Sequence, residues 1–232
     1  MLAAAFSGFL LGLGHALEPD HVAAVSVLAM TRPGAQRGAL LGLFWGLGHT
    51  LGLLAMVVAW TVLKGQLPHA ICDFFELGVA FVLLGLGVNA LRRALRDGRE
   101  GPRTPHAHGI AMHTHKTSAA HVHVGTIPIA TRPLAVGLIH GLAGSGAITA
   151  VIVTGLPTLV LKTTYVLLFG CGSIAAMATL SGLFSWPLAR ALRTGWASRL
   201  VVATAGAASV GLGLFWALSV GHRLMPTCLM PT

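Results

Sequence analysis

Apolar residues in this chain run in long blocks separated by short polar breaks, with no sustained alternation of the kind a half-buried strand would show. A membrane-spanning helix needs about 20 mainly apolar residues, and six blocks meet that length. The first extends from Met1 to about Met30 and is interrupted by Glu18-Pro19-Asp20-His21. The second, Gly38 to Leu63, contains no charged residue, and the third, Ile71 to Leu91, carries Asp73 and Glu76 near its start. The fourth covers Leu134 to Pro157, the fifth Thr163 to Ala189 and the sixth Leu200 to Gly221. Pro187 and Arg190 are expected to end the fifth. Met1 leads directly into apolar sequence without a charged preceding region, so the first block is expected to remain as a span.

The blocks fall into two sets of three. Residues 1–96 form the first, 97–131 a polar loop, 132–222 the second, and 223–232 a tail. Gly12-Leu13-Gly14-His15-Ala16-Leu17 in the first span answers Gly137-Leu138-Ile139-His140-Gly141-Leu142 in the fourth. Phe44-Trp45-Gly46-Leu47-Gly48 answers Leu168-Phe169-Gly170-Cys171-Gly172, and Gly85-Leu86-Gly87 answers Gly211-Leu212-Gly213. The offsets are 125, 124 and 126 residues. An odd number of spans per half turns the second half over in the bilayer. The expected fold is therefore an all-α integral membrane protein with six transmembrane helices in a 3+3 inverted repeat. Transporters built this way place the substrate near the midplane, where broken helices meet.

Composition supports the membrane assignment: 55% of residues are hydrophobic and only 9% charged. Soluble domains carry about 25% charged residues, so a soluble enzyme is excluded. The net charge of +9 does not point to nucleic acid, because the basic residues sit in short loops. Arg32 and Arg37, then Arg92, Arg93, Arg96, Arg99, Arg103, Lys116 and Arg132, then Arg190, Arg193 and Arg199 follow the odd-numbered spans. Only Lys64, Lys162 and Arg223 fall on the other side. Twelve against three predicts an inner-membrane protein with both termini outside and the long loop in the cytoplasm.

Twelve histidines in 232 residues are the unusual feature. Ionisable residues inside a span are costly and mark a site by default. In His15-Ala16-Leu17-Glu18-Pro19-Asp20-His21, a straight helix would place His15 and His21 about 240° apart around its axis. Pro19 cannot donate to the carbonyl of His15, so a break there is expected to free that oxygen and bring both imidazoles and Asp20 to one pocket. His49 lies in the second span and His140 in the fourth. Imidazole with carboxylate, and no thiolate, suits a divalent first-row metal ion.

The His-x4-Asp-His of the first span, followed by Leu47-Gly48-His49-Thr50, resembles the signature pair of the nickel/cobalt transporter (NiCoT) superfamily. That resemblance implies secondary transport of Ni2+ or Co2+, with His15, Asp20, His21 and His49 recognising the metal and no permanent cofactor. The chain departs from the eight spans of standard members. Where their second-half motif carries an acid, it has Gly137-Leu138-Ile139-His140-Gly141-Leu142-Ala143-Gly144-Ser145. This string is similar to the short urease-accessory-type membrane proteins of the superfamily, and it leaves His140 as a further metal residue.

The third loop carries His106-Ala107-His108, His113-Thr114-His115 and His121-Val122-His123, a tract that reads as metal-binding. Its irregular, polar composition suits buffering of cytoplasmic metal more than a rigid site. Efflux members of the superfamily have a similar loop, so the resemblance favours export while the direction stays open; competition of metal and proton for the imidazole nitrogens offers a route to proton-coupled efflux. No GxxxxGK[ST] loop is present, so transport is expected to be secondary or driven by a partner. Two alternatives remain: a metal-sensing or accessory membrane subunit, and a six-helix thiol–disulfide electron carrier. The latter requires exchanging cysteines, whereas Cys72 and Cys171 do not occupy matching repeat positions.

Overall fold

The structure is a computed structural model and describes residues 2–29, 34–63, 69–96, 122–124, 127–129, 131–143, 155–191 and 195–229. The helices are α1 (Leu2–His15), α2 (Pro19–Ala29), α3 (Ala35–Val62), α4 (His69–Arg96), α5 (Thr131–Leu142), α6 (Leu159–Ala191) and α7 (Gly195–Leu229). Where the sequence predicts six spans, the first of them broken, four described helices are long and apolar enough to cross a membrane: α3, α4, α6 and α7. At a rise of about 1.5 Å per residue, 28 residues exceed a hydrocarbon core of about 30 Å. The 14 residues of α1 and the 11 of α2 each fall short of it.

The first block divides at its proline. Glu18 N–H donates to the His15 carbonyl at 3.0 Å and Leu17 N–H to that of Gly14 at 3.0 Å, tightening the end of α1 into a narrow turn. Pro19 then opens α2, a position where its missing N–H costs nothing. The His15 oxygen is therefore not free, contrary to the sequence expectation, because Glu18 takes the place that Pro19 cannot fill. Gly34, with φ of 122°, makes the turn into α3 in a backbone region that side-chain-bearing residues rarely adopt.

Elsewhere the helices outrun the sequence boundaries. Pro187 lies inside α6 instead of ending it; packing along α3 outweighs one missing amide donor. Likewise α7 continues through Pro226 to Leu229, into the expected tail, since a single absent N–H does not stop the last turn. The fourth block is helical from Thr131 to Leu142, and its stretch from 144 to 154 lies outside the described residues. Among the described residues the fold is all-helical apart from one short hairpin. Within the loop expected to be irregular, Val122–Val124 (β1) pairs antiparallel with Ile127–Ile129 (β2), because valine and isoleucine, both β-branched, dominate the two segments.

Packing runs α1 along α6, α5 along α3, α3 along α6, and α4 along α7. Glycines set the close approaches. A Cβ on Gly12 would overlap the Phe169 carbonyl, and a Cβ on Gly137 would overlap that of Trp45. Gly48 meets the Leu134 carbonyl in the same way, and Gly172 that of Phe9. Corresponding members of these crossings lie 124 or 125 apart in sequence: Gly12 and Phe169 correspond to Gly137 and Trp45, and Gly48 and Leu134 to Gly172 and Phe9. Hydroxyls join the helices as well: Ser173 donates to the Gly12 carbonyl at 3.1 Å, and Ser209 to that of Leu83 at 2.8 Å. Trp45, Leu83 and Met177 fill the interior, while Phe74, Phe81, Phe215 and Leu218 face outward, as lipid-facing side chains do.

Candidate metal centre

The α1–α2 break, the middle of α3 and the end of α5 meet inside the bundle. They bring His15, Asp20, His21, His49 and His140 together, all buried. His15 ends α1, and the turn that follows swings His21 back toward it. Their ring centroids lie 4.5 Å apart, edge to face. His49 comes from α3, where Gly48 and Gly52 admit the backbone of α5 against that helix. Its ring centroid is 5.1 Å from those of His15 and His21. His140 arrives from α5, 4.5 Å from His21.

Burying a carboxylate at membrane depth costs several kcal/mol unless its oxygens are satisfied. Asp20 meets that condition. Its Oδ1 accepts from His21 N–H at 2.8 Å and from His21 Nδ1 at 2.9 Å. Its Oδ2 accepts from His140 Nε2 at 2.9 Å, across 120 residues of sequence. An ionised carboxylate only accepts, which places protons on His21 Nδ1 and His140 Nε2. Glu18 does the same for His15, accepting from its Nδ1 at 2.8 Å. Nε2 of His15 and Nε2 of His49 then face each other at 3.1 Å.

Among the described residues three buried imidazole nitrogens have no partner: His21 Nε2, His49 Nδ1 and His140 Nδ1. Imidazole nitrogens left open in a dry interior are costly for folding and suited to ligation. Two sets of three residues can each offer ligand atoms within 4.8 Å of one another: His15, His21 and His49, and Asp20, His21 and His140. His21 belongs to both.

Three neighbours were not legible as site residues. Glu18 was visible only as part of the polar break, although its spacing of three from His15 puts the two on one helical face. Trp45 stacks on His21 at 5.5 Å and meets His140 edge-on at 5.9 Å. The signal for it is its spacing of four from His49 on α3. Phe169 lies 5.1 Å from His15 at the position that answers Trp45 in the second half. Of the loop histidines, His123 lies in β1 opposite Pro128. His106, His108, His113, His115 and His121 lie outside the described residues. Cys72 on α4 and Cys171 on α6 are free thiols.

Comparison with known proteins gives the family. The family model for NicO, described as high-affinity nickel-transport protein, matches residues 1–185. A urease accessory protein, UreH, from Bacillus sp. (strain TB-90) is 32% identical over 80% of this chain and 78% of its own length. Two Arabidopsis thaliana chloroplast proteins, FOR GROWTH AND FERTILITY 2 and 1, are each 26% identical, over 92% and 77% of this chain. The matched regions span 56% and 48% of those two relatives. No solved structure matches. A buried His/Asp cluster in an apolar helical bundle thus coincides with a match over most of the chain, and the chain belongs to the NicO family of high-affinity nickel-transport proteins.

Proposed function

We propose that this protein is a secondary carrier of divalent nickel, and of cobalt by the same chemistry, and that the ion binds among His15, Asp20, His21, His49 and His140. One observation carries the proposal: five buried ionisable side chains from four helices converge where α1 gives way to α2. An apolar bundle has no structural need for such a cluster, and nitrogen with carboxylate donors selects first-row ions over hard cations. The family description, high-affinity nickel-transport protein, favours nickel as cargo.

In this reading α1 with α2 makes one crossing, and the fourth apolar block of the sequence, Leu134 to Pro157, makes another. Together with α3, α4, α6 and α7 they give six crossings in two inverted halves. The glycine crossings related by 124 and 125 residues support that arrangement. Loop charge puts both termini outside the inner membrane and the histidine-rich loop, His106 to His123, in the cytoplasm. There the loop collects metal for export, and protons entering from outside displace the ion. The electron-carrier alternative needs two cysteines that exchange; among the described residues Cys72 and Cys171 are free thiols on separate helices.

The test is nickel flux in proteoliposomes with an imposed proton gradient, compared with cobalt and zinc. Accumulation that follows the gradient and saturates with nickel is expected. Tight nickel binding without flux in either direction would instead make the protein a sensor or accessory subunit.

A further inference from the structure

With Glu18, six side chains surround the centre, and their hydrogen bonds divide them into two layers. We infer that Glu18 and Asp20 are positioning residues that stay outside the coordination sphere, and that the ion is held by Nε2 of His15, His21 and His49. This rests on the carrier proposal and assigns the parts of its site. Each carboxylate occupies the Nδ1 side of one imidazole: Glu18 on His15 at 2.8 Å, Asp20 on His21 at 2.9 Å. A proton held on Nδ1 leaves Nε2 with its lone pair and fixes the ring's direction, the arrangement that metal-ligating histidines adopt with an outer carboxylate.

The open edges agree with this division. His21 Nε2 is buried and unpartnered, and the 3.1 Å between Nε2 of His15 and Nε2 of His49 suits one shared ion. Two imidazole nitrogens, each about 2.1 Å from a first-row ion, stand roughly 3.0–3.4 Å apart for angles between square and tetrahedral. His140 belongs to the outer layer, because its Nε2 is spent on Asp20 Oδ2 at 2.9 Å. It steadies Asp20, which steadies His21. The inner layer is then three neutral nitrogens with further coordination positions open, the form of a site that exchanges its ion. Calcium and magnesium, which take oxygen donors, find no ligand set there.

The experiment uses Co2+ as a coloured probe on the purified full-length chain in detergent. Visible spectra, which report the donors on the ion, are recorded alongside titrations for Asp20→Asn, Glu18→Gln, His140→Ala and His49→Ala. The first three are expected to keep the wild-type band positions and to bind about 10–100-fold more weakly, as loss of an outer partner does. His49→Ala is expected to move the bands. The inference is overturned if Asp20→Asn shifts the bands as His49→Ala does, or binds no cobalt at saturation. Should the Asp20 variant fail to fold, His140→Ala decides independently: unmoved bands support the two layers, and moved bands overturn them. Failure of the wild type to bind cobalt or nickel at all would overturn the carrier proposal itself, a result distinct from a shifted band in one variant.

Discussion

Nε2 of His15 and Nε2 of His49 face each other at 3.1 Å, from helices whose histidines are 34 residues apart in sequence. Two imidazole lone pairs do not rest at that distance unless something lies between them. Without metal, one proton is shared; with metal, an ion takes its place. Helix α3 carries His49 to this point, and the break at Pro19 leaves His15 at the end of α1 to meet it.

Replacing His49 by alanine removes one inner nitrogen while leaving both carboxylate-backed rings in place. Nickel affinity should fall by more than the ~10–100-fold expected for an outer partner, and flux at low nickel should be lost. Calorimetric titration in detergent measures the first and vesicle uptake the second. An unchanged affinity would exclude His49 as a ligand.

Glycine at the helix crossings should be far less replaceable than glycine on the outer faces. A Cβ at position 137 overlaps the Trp45 carbonyl, and Trp45 stacks on His21. Gly137→Ala should therefore cost about 1–3 kcal/mol through forced backbone movement and weaken metal binding as well. Gly14 has nothing within 4 Å of a built Cβ, so Gly14→Ala should be neutral or stabilising by roughly 0.5–1 kcal/mol. Thermal melts of the two variants in one detergent test the contrast. Equal losses would show that the crossing is not tight.

Changing His106, His108, His113, His115, His121 and His123 together to serine should leave maximal flux intact. Rate at low metal should fall, because the loop supplies ions to the centre without forming part of it. Loss of flux at saturating metal, with the protein correctly inserted, would place a loop histidine in the transport path.

The broken first helix was legible because one residue, Pro19, forces it, and the clustered histidines because charge inside an apolar block is too costly to be incidental. The pairing of Asp20 with His140 was not legible. It depends on how α5 docks against the break, which glycines at 48, 52, 137 and 141 decide in three dimensions. Spacing along one helix gave no sign of it. The pairing of β1 with β2 escaped for another reason: six short-range residues can pair without adding to a hydropathy block. Glu18 illustrates a third limit. Its role lies in which nitrogen of His15 it occupies, a matter of ring orientation that residue type does not encode.

Metal and proton compete for the same lone pair, because an imidazole must be deprotonated at the nitrogen that ligates. A histidine in water takes up its proton near about pH 6.5. Above that pH the competition is weak and nickel affinity should be level. As pH falls, affinity should drop, by at most about three decades per pH unit if all three inner nitrogens exchange an ion for a proton. Asp20 lies within reach of His21 and His140, and Glu18 within reach of His15, so both carboxylates influence this competition. In a carrier the same competition drives exchange: protons bound on the acidic side displace the ion there, and their release on the other side restores the site. Nickel affinity measured in detergent between about pH 5 and 8, the window in which histidine titrates, tests this directly. Arg223→Gln is the control, since Arg223 pairs with Asp73 and Glu76, away from the five buried site residues. Its profile should overlay the wild type, whereas His49→Ala should show a shallower fall. An affinity that stays level across the window in the wild type would remove proton exchange as the coupling, whatever the flux.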